Sequence, residues 1–186
     1  MYDCALPFPR GSTYGNMGDK TMTAALAVAT GLAGRVFEVP DTVHGTGKTI
    51  KLRVVANETG ADLTVGRKGL GFGPVTAAGF GQIVVTAPGV GGIGKPIDDG
   101  YVKGKTIPHH DLFYVLESGP CYILTTSNGA VALEGGWPVS FDDEGRLGTA
   151  KSAAGYYVIG AILETTILNS AEVTVDVAEG LVPANA

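Results

Sequence analysis

Five stretches of this chain carry residue types that could do chemistry or bind a ligand. His109-His110-Asp111 is the one cluster of histidines, and His44 stands apart from it. Two histidines and a carboxylate could hold a metal or run acid–base chemistry. Neighbours on a strand point to opposite faces, however, so a His pair there would not share one ion. A polar strand start after Pro108 is the plainer reading. HGTGKT at 44–49 resembles the end of a phosphate-binding loop, but the full pattern needs a glycine at position 42, which is Thr42. It also needs a helix afterwards, and a β-type run, Ile50 to Val55, follows instead. A hairpin turn fits better. GVGGIG at 89–94 matches a dinucleotide fingerprint, yet Pro96 and Gly100 stop the helix that fingerprint requires. No G-x-S-x-G elbow is present. Asp142, Asp143 and Glu144 read as a solvated hairpin tip rather than a calcium site, which takes six or more oxygens from several directions. Trp137, between Gly135-Gly136 and Pro138, could be a binding platform, but a lone Trp in a small β domain more often fills the core. The residues thus give no catalytic set, no cofactor site and no metal set, and the expectation is a protein that is not an enzyme.

The elements that would position these residues are β-strands. Glycine accounts for 29 of 186 residues, well above the average of about 7%. The glycines lie between short β-branched runs, where turns need positive φ. Strands are expected at Arg35 to Val39, Thr49 to Ala56, Leu63 to Val65 and Gln82 to Ala87. Further strands are expected at Asp111 to Glu117, Cys121 to Thr126, Ala130 to Glu134, Trp137 to Phe141 and Tyr156 to Glu164. Gly119-Pro120 reads as a turn between two of these, and Asn128-Gly129 as a tight hairpin turn. Val173, Val175 and Val177 alternate with Glu172, Thr174 and Asp176, the pattern of a half-buried strand. Residues 178–186 read as a soft tail, and 21–34 as either helix or strand. This spacing implies a mainly-β chain, an antiparallel β-sandwich or small β-barrel. Its organisation reads as an extended N-terminal arm, 1–34, then a β extension with Gly-rich loops, 35–100, then a β domain, 101–186.

Residues 1–20 combine structure breakers, Pro7, Pro9, Gly11, Gly15 and Gly18, with apolar side chains. Tyr2, Leu6, Phe8, Tyr14 and Met17 therefore read as anchors, either on a neighbouring chain or on the domain itself. Phe72 and Phe80, in the Gly-rich loop 68–81, read as further partner contacts. If the arm grips a neighbour, removing residues 2–20 should leave the domain folded.

Charge narrows the partners. The formal net charge is −5 and charged residues are 17%. No basic stripe exists, so nucleic acid is excluded as a direct partner. Cys4 and Cys121 have neither disulfide-framework nor metal spacing, which suits synthesis in a reducing cytoplasm. The most apolar stretch, Met22 to Ala33, is too short to span a membrane, and Asp3 and Asp19 argue against a leader.

Residues 109–180 carry an ordered set of elements. DLFYVLESGPCYILTTS comes first, then GGWPVSFDDEGRLGTA, then VIGAILET, then VTVDVAEG. In this order the chain resembles the head decoration, or capsid cement, proteins of tailed bacteriophages. The resemblance implies a small β barrel or sandwich on the outer surface of a virion, made in the host cytoplasm. It implies the major capsid protein and other copies of the chain, as a homotrimer, as partners. It implies no catalytic residues and no cofactor. Residues 1–100 depart from that compact pattern. The alternatives are a phage tail or fibre component and a carbohydrate- or host-binding β module using Trp137, Tyr156 and Tyr157.

Overall fold

The computed structural model describes residues 6–17, 31–73, 83–86, 94–126, 132–149, 157–163, 166–167 and 171–183. After a 3-10 turn, Tyr14–Met17, the described elements are all strands. They are β1 Val36–Pro40, β2 Thr49–Asn57, β3 Leu63–Thr64, β4 Gly69–Phe72, β5 Ile83–Thr86, β6 Gly94–Pro96 and β7 Thr106–Ile107. There follow β8 Leu112–Leu124, β9 Ala132–Leu133, β10 Pro138–Phe141, β11 Leu147–Thr149, β12 Tyr157–Ile162, β13 Thr166–Ile167 and β14 Glu172–Pro183.

Ten of these form one sheet in the order β11-β10-β12-β14-β8-β2-β5-β4-β6, with β1 on β2. Every pairing in it is antiparallel except β2 with β5. The expected mainly-β, antiparallel class is therefore the class observed, and the described strands do not close into a barrel. Single bridges nevertheless bring both ends of the sheet back to β8: Ile97 to Val115 from the β6 end, and Thr125 to Leu147 from the β11 end. The sheet so divides into a front half (β1, β2, β5, β4, β6) and a back half (β14, β12, β10, β11), with β8 between them. β2, in segment 35–100, and β8, in segment 101–186, are direct neighbours in it.

β8 is long because Gly119-Pro120 does not break it. The expected turn is instead the point where the strand changes partners. Residues 112–118 pair with β2 and 119–124 with β14. Gly119 has φ +117, and a Cβ there would lie 2.7 Å from Ile50 Cγ2. Glycine therefore lets the strand pass close to β2 at the switch, where that pairing shifts register between Lys51 and Leu52.

The core follows the strand patterns. Ile50, Leu52 and Val54 of β2 are buried, as are Val173, Val175 and Val177 of β14. On β8, Leu112 through Leu116 are all buried, with Tyr114 against Phe8 of the N-terminal segment and Phe113 edge-on to Tyr101. β14 runs to Pro183, where it pairs with Tyr157. The expected tail from 178 is thus a strand, because β12 offers it backbone partners. The Asn128-Gly129 turn lies outside the described residues, as do 18–30.

Candidate functional site

The front half holds a cluster of buried ionisable groups, Arg10, Asp41, His44, Arg67, Asp98 and Asp99. The β1–β2 hairpin loop is the HGTGKT stretch, with Gly45 at φ +65 and Gly47 at φ +68, and strand β2 follows it directly. Asp41 closes this loop. Its carboxylate accepts hydrogen bonds from Thr46 Oγ1 at 2.7 Å and from the backbone N–H groups of Val43 and His44 at 3.0 and 3.1 Å. The His44 ring lies between two carboxylates, with Nδ1 3.1 Å from Asp41 and Nε2 2.8 Å from Asp99. It also tilts over Tyr122 at 4.7 Å. Both ring nitrogens are engaged and the side chain is 3% exposed, so His44 has no face to offer a substrate.

The neighbouring acids are also paired. Asp99 accepts hydrogen bonds from Arg67 Nη1 and, at 2.6 Å, from the Tyr122 N–H. Asp98 takes a two-pronged contact from Arg10, Nε at 2.7 Å and Nη2 at 2.6 Å. This bidentate geometry is the strong form of an arginine–carboxylate pair. Burial pushes the Asp99 carboxyl up from its ordinary value, against the pull of the Tyr122 N–H, Arg67 and His44. Burial pushes Asp41 up as well, but hydrogen bonds from Thr46, His44 and Val43 outweigh it and hold this carboxyl well below its ordinary value. The network ties the 41–46 loop, the 98–100 turn, Arg67 and the N-terminal segment into one unit.

That segment is bound to the front half along its described length. Phe8 is 1% exposed and stacks on Tyr114 at 4.3 Å. The Phe8 backbone donates to and accepts from the Tyr114 hydroxyl. The Tyr101 hydroxyl donates to Ser12 O at 2.6 Å, Lys105 Nζ donates to Gly11 O at 2.6 Å, and the Gly15 N–H donates to Asp111 at 2.8 Å. Phe8, expected as an anchor for a partner, thus belongs to this chain's own core. The reason is that the Tyr114 ring and hydroxyl satisfy both its apolar and its backbone groups. Tyr14 packs edge-on to Phe8 at 6.0 Å, and Leu6 is half-buried against the same core. Phe72 is half-buried, with the Arg53 guanidinium 5.9 Å from its ring centroid. Met17 ends the 3-10 turn. Tyr2 and Phe80 lie outside the described residues.

The back half does the opposite. Trp137 is 40% exposed and Leu163 48%. Both lie near one end of the β10–β12 pair, where Ile162 N–H donates to Trp137 O at 3.1 Å and Gly136 N–H to Ile162 O at 2.8 Å. The expectation that Trp137 fills the core is therefore corrected. Gly136, at φ +87, turns the chain just before it, and Phe141 and Val139 occupy the interior instead. Beside Trp137, an open cleft of about 580 Å³ is lined by Gly136, Pro138, Gly160, Gly119, Lys48 and Asp176, among others. Three glycines in that lining leave backbone rather than side chains at the surface. The Asp142 acidic turn is a hairpin tip as expected, with the Asp142 carboxylate accepting the Glu144 and Arg146 N–H groups at 3.0 and 2.8 Å.

His109 and His110 differ from expectation as well. They occupy a turn rather than a strand, His110 at φ +65, and their rings stack at 3.6 Å. Glu58 faces both: 2.9 Å from His110 Nδ1 and 3.8 Å from His109 Nε2. These three side chains could together hold a metal ion. A strand would have separated the pair, whereas the turn gathers it. Leucine or aromatic periodicity gives no warning of this, because it depends on the left-handed backbone at His110.

What emerges is a mainly-β chain with an internally paired front half, an exposed Trp137 in the back half, and an open cleft between Lys48 of the one and Gly160 of the other. No family model matches it, and no curated protein does. Among solved structures, it is similar to the N base of head fiber gp8.5 of bacteriophage phi29, at 13% sequence identity and a TM-score of 0.42. The match covers 72% of this chain and 98% of that one. A likeness of that size fixes neither fold nor role. No helix of the described residues is long and apolar enough to cross a membrane.

Proposed function

We propose that this chain is a structural virion protein of a tailed bacteriophage. It binds the outside of the capsid through its back half and stabilises the shell by bridging major capsid protein subunits. The observation that carries this reading is the exposed Trp137 ring, set between Gly136 and Pro138 of an open cleft. Tryptophan is enriched where protein surfaces bind each other, and one central aromatic anchor can dominate such an interface. The stretches that resemble capsid cement proteins form β8, the β10–β11 hairpin, β12 and β14, the strands around that surface. Assembly into trimers would multiply weak contacts through effective concentration. No bond-making chemistry enters this reading.

The test uses shells of the encoding phage assembled without this chain. Purified protein should bind them saturably, and decorated shells should withstand more heat than bare ones. Trp137→Ala should weaken binding ten-fold or more while the variant melts close to the parent protein. No binding to shells, or equal binding by the variant, would overturn the reading. The same exposed Trp beside an open cleft favours a second reading, a carbohydrate-binding module. Saturable binding to a glycan array, lost in Trp137→Ala and without shell binding, would establish that one instead.

A further inference from the structure

We infer that Glu58, His109 and His110 form a binding site for a first-row divalent transition-metal ion such as Zn²⁺. The donor set is two imidazoles and one carboxylate, which suits zinc, copper or nickel rather than calcium or magnesium. The three ligand atoms all lie within 4.8 Å of one another. Around a tetrahedral zinc with bonds of about 2.0–2.1 Å, such atoms stand about 3.3 Å apart. A single carboxylate oxygen, Glu58 Oε2, stands 3.1 Å from His110 Nδ1, inside that spacing, and 3.8 Å from His109 Nε2, slightly outside it. Closing the remainder calls for the stacked imidazoles, 3.6 Å apart with an interplanar angle of 29°, to turn toward one point. They have that freedom, being 31% and 61% exposed.

The backbone beneath these side chains is held firmly. Asn57, fully buried, donates through its side-chain amide to Ala61 O, Ile107 O and Pro108 O at 3.0, 3.0 and 3.2 Å. Its backbone exchanges bonds with the facing turn: His110 N–H to Asn57 O at 2.9 Å and Asn57 N–H to Asp111 O at 2.9 Å. His109 N–H donates to Asp62 Oδ1 at 2.9 Å. One buried amide thus clamps the turn that carries Glu58 to the turn that carries both histidines. A site whose ligands ride on a fixed frame loses little conformational freedom when the ion binds. Three protein ligands also leave a coordination position open, for water or for a donor from outside the chain. The remaining histidine, His44, lies sealed between two carboxylates and does not compete.

The experiment is a calorimetric titration of the untagged full chain with Zn²⁺, repeated with Co²⁺ while its visible absorption is followed. The expected result is saturable binding with the absorption of a nitrogen-containing, low-coordinate cobalt site. His109→Ala, His110→Ala and Glu58→Gln should each weaken binding at least ten-fold, with metal-free melting temperatures close to that of the parent chain. Glu58→Gln keeps side-chain size, so a loss there reads the carboxylate and not the fold. Absence of binding by the parent chain at millimolar Zn²⁺, or equal binding by all three variants, would overturn the site.

Discussion

The two halves of this sheet share a strand and treat their aromatic and charged side chains in opposite ways. In the front half, Phe8, Tyr101, Tyr114, Arg10, His44, Asp98 and Asp99 satisfy one another inside the molecule, and the large hydrophobic residues it exposes are aliphatic, such as Val36 and Val43 of the β1–β2 hairpin. In the back half, Trp137 and Leu163 stay at the surface, and Gly136 and Gly160 line part of the cleft. Apolar content in the sequence is therefore a poor guide to where a partner binds. The N-terminal segment is rich in apolar anchors and uses them internally wherever it is described. The segment around Trp137 looks unremarkable in composition and presents the exposed ring.

Phe8→Ala should have the largest effect. It removes a buried ring stacked on Tyr114 and should cost about 3–5 kcal/mol of stability, read by urea unfolding. This expectation differs from that of a partner-gripping arm, under which loss of the segment leaves the domain folded. An unchanged unfolding midpoint would mean that the front half is not sealed by this segment.

Arg10→Ala comes next. It leaves Asp98, whose side chain is 1% exposed, without its bidentate partner, and should cost about 3 kcal/mol. A loss below about 1 kcal/mol, the range of surface pairs, would show that the front network is wetter than its geometry.

The pH dependence sharpens the contrast further. Asp41 has a carboxyl held below its ordinary 3.8 in the folded chain. The unfolded chain then binds the proton more readily, so Asp41 adds stability above about pH 4 that is lost as the pH falls through the folded value. Asp41→Asn should lower stability at pH 7 and flatten the decline below pH 4, measured by unfolding across pH 2–7. Parallel curves for the two proteins would remove Asp41 from the account.

The smallest effect on folding belongs to Trp137. As the one tryptophan of the chain, it reports its surroundings directly. Its fluorescence in the folded protein should be quenched readily by acrylamide, and Trp137→Ala should shift stability by only about 1 kcal/mol. A blue-shifted emission that resists quenching would place the ring inside and erase the difference between the halves.

Much of the fold was legible from local pattern. The strands β2, β10 and β14, the 44–49 hairpin loop and the acidic turn at Asp142 all sit where alternation and turn chemistry put them. These depend on neighbours in sequence. The misreadings share a cause, which is that the deciding partner is distant. Gly119-Pro120 has the composition of a turn, but pairing with Asp176 and Val177 on one side and the approach of Ile50 on the other keep it in a strand. The 178–183 segment has the composition of a tail until β12 pairs with it.

The candidate sites divide the same way. Sequence alone determined the mainly-β class, the acidic and low-charge surface and the shortage of catalytic motifs, because composition and period-two alternation are set residue by residue. Only tertiary structure decided that Phe8 turns inward onto Tyr114, that Trp137 turns outward, and that Glu58 meets His109 and His110. The first depends on a partner more than a hundred residues away, the second on the turn at Gly136, and the third on the left-handed φ at His110, which no residue type dictates.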